Sequence, residues 1–192
     1  MKIEYGLKNV YVAKRTVTEG VVSYDTPVAI PYARSTDLAP TGETTPVYAD
    51  NIEIETLNSN QGYSGTVNFT AIPDSFLETF LGFEKDENGV LVEDAEAQPV
   101  AFALMFQFEN DVKAKRHVFY NCVATRPNVA SNTKEASISV NDKTLNVTAR
   151  ADSEVVAGRT VVKGSTTADT NSTAYNAWFT AVQVPEFAET SV

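Results

Sequence analysis

The sequence predicts a mainly β fold: an antiparallel β-sandwich or barrel-like body, one flanking α-helix, and a C-terminal arm carrying a second helix. Three observations carry that prediction. Short stretches alternating apolar and polar residues recur through the first three quarters of the chain, the period of strands. Helical spacing appears at only two places, 73–82 and 172–182. The run VAFALMF at 100–106 is apolar at every position, the signature of a strand covered on both faces. A chain of 192 residues with 43% hydrophobic and 21% charged content suits one domain, or a domain with an appendage, and can bury a core without staples.

Strand signals at 9–14, 27–33 and 36–39 open the chain. The stretch 47–57 follows. Its centre alternates strictly, with Ile52 and Ile54 on one side and Glu53 and Glu55 on the other, which predicts one half-buried strand with the isoleucines in a core. Over 63–72 the apolar face is Val67, Phe69 and Ala71. A helix is expected over 74–81. Pro73 stands ahead of a capping box in which Ser75 accepts from first-turn amides and Glu78 reaches back. Phe76, Leu77, Phe80 and Leu81 form its apolar stripe, and Gly82 supplies the left-handed stop. The segment EKDENGVLVEDAEAQP at 84–99 predicts a projecting acidic hairpin turning at Asn88-Gly89.

Strands over 100–109 and 112–125 pair across Asn110-Asp111, and strands over 136–140 and 145–151 pair across 141–143. The small, polar segment EVVAGRTVVKGSTTADTN at 154–171 reads as a linker or arm. It carries a helix over 172–182 in which Ala174, Tyr175, Trp178, Phe179 and Val182 share a stripe, with Pro185 beyond its end. The expected division is a body of 1–152 and an arm of 153–192.

Net charge is −10. A nucleic-acid binder needs a basic face to neutralise phosphates, and an anionic membrane surface repels this balance, so both classes are disfavoured. The charge is unevenly placed. Between Asp37 and Asp111 there are fifteen carboxylates and one base, Lys85, giving −14; the flanks together carry +4, since −14 + 4 = −10. A bipolar subunit suits stacking or ring assembly, while acidic loops also serve plain solubility. The single cysteine, Cys122, excludes an intrachain disulfide and sits in an apolar strand as inert core. The start, MKIEYGLKNVYV, contains no signal-peptide apolar run, and 100–106 is too short for a membrane-spanning helix. The expected setting is the cytosol or a particle assembled there.

No catalytic constellation emerges. His117 is the only histidine and has no metal-ligand neighbours in sequence, so Lys115, Arg116 and His117 read as a solvated strand stretch. Gly62-Tyr63-Ser64-Gly65 lacks the spacer of a nucleophile elbow. Asp86 to Gly89 matches only part of a calcium loop. Glu53 and Glu55 could do acid–base work in principle, but neighbouring glutamates on an exposed strand face are ordinarily solvated. No glycine-rich phosphate cradle is present. The expectation is a non-enzymatic protein with no catalytic, cofactor or metal residues.

Several passages in order, GLKNVYVA, YADN, GYSGTVNFTAIPDSFLETFLG with the acidic hairpin after it, PVAFALMFQFEND, HVFYNCVATRP and AYNAWFTAVQVPE, resemble the major tail protein (tail tube protein) family of long-tailed non-contractile phages, phi-thirteen type. The similarity spans about residues 6–185. It implies a β-sandwich subunit with a flanking helix. Six copies form a ring, and rings stack into a hollow tube around a tape-measure protein, bounded by tail terminator and baseplate-proximal tail proteins. DNA passes through as transient, non-specific cargo. The resemblance further implies no catalysis, cofactor or membrane contact, and a virion-tail location after assembly in the host cytoplasm. Under it, Asp50, Glu53 and Glu55 are candidates for a lumen or inter-ring surface, and a loop within 40–62 reaches the next ring. Tyr175, Trp178 and Phe179 are candidate subunit-interface anchors, with intrachain core as the competing role. The alternative from another class is a carbohydrate- or receptor-binding β-sandwich that uses Tyr63, Tyr175 and Trp178.

Overall fold

The computed structural model describes residues 5–109, 114–131, 133 and 141–187. The predicted turn at Asn110-Asp111 and the predicted strand over 136–140 lie outside these residues. In chain order the first strands are β1 (Leu7–Thr18), β2 (Val21–Tyr24), β3 (Val28–Ala29), β4 (Ala33–Thr41), β5 (Thr44–Ala49), β6 (Ile52–Asn58) and β7 (Gly62–Phe69). Helix α1 (Asp74–Leu81) follows, then β8 (Phe83–Lys85), β9 (Leu91–Glu93), β10 (Phe102–Phe108), β11 (Arg116–Ala124) and β12 (Lys143–Arg150). The C-terminal part holds β13 (Asp152–Val156), β14 (Arg159–Val161), β15 (Lys163–Thr166) and α2 (Ser172–Ala177).

The body is one antiparallel sheet in the order β2-β1-β10-β11-β12-β7-β4, with β3 also paired to β1 and β15 to β11. It is not a closed barrel: β4 ends it on one side, β2 and β3 on the other. The apolar strand β10 lies inside the sheet, and its two-sided cover is borne out. Phe102, Leu104 and Phe106 enter a first core with Val10 and Val12 of β1, Val67 and Phe69 of β7, and Leu145 and Val147 of β12; α1 closes it with Phe76, Phe80 and Leu81. Ala103 and Met105 point the other way, into a second core with Val118, Tyr120, Val155 and Trp178. The result is the predicted mainly β, sandwich-like fold with a flanking helix.

Strand β11 belongs to both cores through a bulge. Phe102 opposes Cys122 while Leu104 opposes Phe119, so β11 carries one extra residue between them. Beyond the bulge β11 pairs with β12 at Cys122–Ala124; before it, the same edge pairs with β15 at Arg116–Phe119. The segment read as a linker is therefore built into the body. β15 takes the edge that β11 leaves free there, and β13 and β14 pair with each other as a separate ribbon. Gly164 is required at this approach, since a Cβ would stand 2.5 Å from the Tyr120 hydroxyl. Arg15 fastens the same segment, its Nη2 lying 2.7 Å from carboxylate oxygens of both Asp152 and Glu154. The Tyr120 hydroxyl donates to the Gln183 carbonyl at 3.1 Å. The arm thus runs along the sheet.

Two local expectations change. The capping box of α1 does not form: Pro73 is the N-cap, no side chain caps the helix, and Glu78 pairs instead with Lys85. The helix still ends at Gly82, whose φ of 71° lets its N–H donate to the Leu77 carbonyl. Helix α2 stops at Ala177, well short of 182; Asn171 caps its start by accepting from the Ala174 amide at 3.0 Å. The acidic hairpin β8–β9 forms as expected. Asp86 holds its turn by accepting from the amides of Val90 at 2.7 Å and Asn88 at 2.9 Å.

Candidate assembly surfaces

The expectation of one half-buried strand over 47–57 is overturned. The chain folds back there as the hairpin β5–β6, turning at Asp50-Asn51 with φ of 51° and 61°. Two consecutive left-handed residues make the tight turn that suits strand twist, and Asp and Asn tolerate that conformation best after glycine. The hairpin prolongs the β4–β7 pair through a neck where Ser59 donates to the Glu43 carbonyl and Gln61 to the Thr41 carbonyl, both at 2.9 Å. Gly42 is needed in that neck, because a Cβ would fall 1.8 Å from the Ser59 carbonyl oxygen. Six residues of β5 at the usual strand rise carry the hairpin about 20 Å beyond the sheet. Among the described residues no second layer covers it, and all seven residues of β6 are exposed. The isoleucines that alternation assigned to a core stand in solvent, Ile52 at 67% and Ile54 at 63% exposure.

The hairpin register also separates the two glutamates. Val47 opposes Glu55 while Tyr48 opposes Glu53, so Ile54 is an extra residue on β6. Neighbours on β5 face opposite ways, hence Glu53 shares a face with Tyr48 and Glu55 shares the other with Val47. They do not form one acidic surface. Glu53 accepts from the Thr56 hydroxyl at 2.6 Å on its own face. The face with Glu55 is the more apolar, carrying Val47, Ala49, Ile52 and Leu57. Asp50 sits at the tip. Tyr48, Ile52, Ile54 and Leu57 are all large and exposed on this one short element. A lone two-stranded hairpin is marginal in water, and a concentrated exposed apolar patch marks a contact surface.

The three aromatic anchors meet their own chain. Trp178 is only 4% exposed within the second core, and its indole N–H donates to the His117 carbonyl at 3.3 Å. Phe179 stacks on Tyr11 at 4.8 Å between ring centres. The Arg116 guanidinium lies 3.7 Å from the Tyr175 ring centre and 4.8 Å from that of Phe179, and it also donates to the Tyr175 carbonyl. Of the three candidate anchors, Trp178 and Phe179 pack in the second core of their own chain, and Tyr175 lies half-buried under Arg116. The physical reason is that the second apolar face of β10 and β11 must be covered, and this segment covers it. The solvated reading of Arg116 and His117 changes with it. Arg116 is half-buried and clamps α2, and its Nε–H also donates to the Gln107 amide oxygen at 3.1 Å, a role that no motif in the sequence signals. His117 stacks on Phe106 at 5.3 Å.

An open glycan platform is not formed by the residues proposed for it, because Trp178 is buried and Tyr63 packs edge-on against Phe119 at 5.1 Å. Cys122 is buried as expected, and burial pushes its thiol far above the ordinary range. Among the described residues no group of three or more His, Cys, Asp or Glu is placed to hold a metal ion. Among them, too, no helix is long and apolar enough to cross a membrane. No protein-family model matches the chain, and no curated protein matches it.

Proposed function

We propose that this chain is a structural subunit that assembles with copies of itself into stacked rings, six to a ring, forming the tube of a phage tail. One observation carries the self-assembly: the β5–β6 hairpin projects a dense set of apolar side chains that its own subunit leaves uncovered. The sheet adds support, since it ends in β4 on one side and in β2 and β3 on the other. Unpaired edges invite pairing, and head-to-tail pairing that closes into a ring removes them. The tail-tube type rests on the sequence resemblance. A duct for DNA should hold it weakly, and a subunit with net charge −10 offers few phosphate contacts to break. Tape-measure, terminator and baseplate-proximal proteins are the partners this reading implies, and the virion tail is the location.

The test is light scattering and negative-stain microscopy of the purified protein, beside a variant with residues 44–58 replaced by a short glycine turn. The full chain should give rings or tubes, and the variant folded monomers with unchanged circular dichroism. Tubes from the shortened variant, or only monomers from the full chain at high concentration, overturn the proposal.

A further inference from the structure

The geometry points to a binding site beside α1 for a small zwitterion with a benzene-sized apolar group, the chemistry of a free amino acid such as phenylalanine. The site is a cavity of about 150 Å³ between β1, β3 and α1. Val12, Ile30, Phe76 and Phe80 line its depth, and none of them is more than 6% exposed. Lys14, half-buried, and Asp25, exposed, line it on the solvent side. Binding here is independent of the assembly proposed above.

The apolar part of the ligand follows from the cavity itself. Protein interiors are packed about as densely as organic crystals, so side chains around an unfilled space forgo dispersion contacts that a guest can supply. Small side chains at Ala29 and Thr79 leave this space open. An apolar space of about 150 Å³ accepts benzene, so a phenyl group matches its size.

The two charges supply the rest. The Asp25 amide donates to the Lys14 carbonyl at 3.0 Å, which continues the β1–β2 register one place beyond Arg15 and Tyr24. Residues directly opposite on antiparallel strands share a face, with Cβ atoms about 5 Å apart. Lys14 and Asp25 therefore stand side by side, on the face away from Arg15 and Tyr24. Among the described residues neither side chain has a hydrogen-bond or ion-pair partner. Two uncommitted opposite charges at that spacing fit an α-amino acid: the Lys14 ammonium donates to its carboxylate, and its ammonium donates to the Asp25 carboxylate. A ligand with one charge leaves the other rim group without a partner. The wider groove of about 370 Å³ near Ile72 and Val129 lacks such a pair, since its carboxylate Glu93 is held by Arg126 at 2.7 Å.

The test is a saturation-transfer NMR titration of the full chain, which reads the ligand and so serves monomer and assembly alike. Three probes carry the same ring: phenylalanine, phenethylamine with the ammonium alone, and hydrocinnamate with the carboxylate alone. Phenylalanine should reach half-saturation on the order of 1 mM, with its ring protons most strongly saturated, and each one-charge probe should need about tenfold more. Lys14→Met should remove the preference for phenylalanine over phenethylamine, and Asp25→Asn its preference over hydrocinnamate. Both positions lie on the solvent side of the cavity, and unchanged circular dichroism confirms that each variant is folded. Absence of saturable transfer to phenylalanine, equal half-saturation for all three probes, or a preference that survives both substitutions overturns the proposal.

Discussion

Trp178→Ala probes the packing that joins the C-terminal segment to the sheet. The side chain is 4% exposed in the second core, beside Met105, Val118 and Tyr120. A tryptophan buries on the order of 200 Å², and at about 25 cal/mol per Å² the lost burial is worth about 5 kcal/mol as an upper figure. Large-to-small core changes at aromatic sites cost about 3–5 kcal/mol in practice. The indole hydrogen bond to the His117 carbonyl belongs within that sum. A loss of about 4 kcal/mol in a chain of this size lowers the melting temperature by roughly 10 °C. The assay is thermal and urea unfolding followed by circular dichroism, at a concentration where the protein is monomeric, because assembly would add its own stabilisation. Leu57→Ser on the exposed hairpin is the control, expected within about 0.5 kcal/mol of the parent. If Trp178→Ala costs under about 1 kcal/mol, the segment is not held on its own sheet in solution. The aromatic cluster would then belong to a neighbouring subunit after all.

Other outcomes follow from single contacts. Arg15→Ala strands the buried Asp152 carboxylate and should cost about 3–5 kcal/mol in urea titration, whereas Glu154→Ala, half-exposed, should cost under about 1 kcal/mol. Gly65→Ala would set a Cβ 1.8 Å from the Asp37 carbonyl oxygen, so β4 and β7 must part; faster amide exchange along Thr36–Asp37 is the sign, and unchanged exchange contradicts it. The Cys122 thiol should ignore Ellman's reagent in the folded protein and react fully in denaturant. Asp86 titrates below the ordinary carboxylate range because the Val90 amide, and then Asn88, donate to it. A depressed native value means the turn contact persists above the unfolded value near 4 and is lost only as pH falls through the lower native one. The Val90 amide should therefore stay protected at pH 4; loosening already above that pH speaks against the contact.

What the sequence made legible was local, and what it hid depended on distant partners. The cover on both faces of β10 follows from seven apolar positions in a row, a property of the strand itself. The fate of Ile52 and Ile54 does not. Alternation has the same period whether the apolar side meets a second layer or water, and nothing at 47–57 says that no layer lies above it. The Asp50-Asn51 turn was present as letters, but a run of strict alternation beside it masked the break. The Thr- and Gly-rich stretch from 154 to 171 is too polar to announce strands; β15 exists because the bulge in β11 frees an edge for it. For Tyr175, Trp178 and Phe179 the stripe was plain, yet a stripe does not name the chain it packs against. Ser75 and Glu78 have the spacing of a capping box, and Lys85, seven positions later, takes the glutamate away.

The pairing of β1 with β10 sets a clock on synthesis. Leu7 finds its partner in Phe108, about a hundred positions later. At ribosomal speed that is a wait of about 5–20 s, during which the central sheet cannot exist. The β4–β7 ribbon with its β5–β6 extension needs only near neighbours and forms first. For those seconds Tyr48, Ile52, Ile54 and Leu57 project from a nascent chain with no body behind them, within reach of other nascent chains on the same messenger. Asp50, Glu53 and Glu55 put three like charges on that one short hairpin, and like charges oppose the pairing of two such ribbons before each has a folded subunit to belong to.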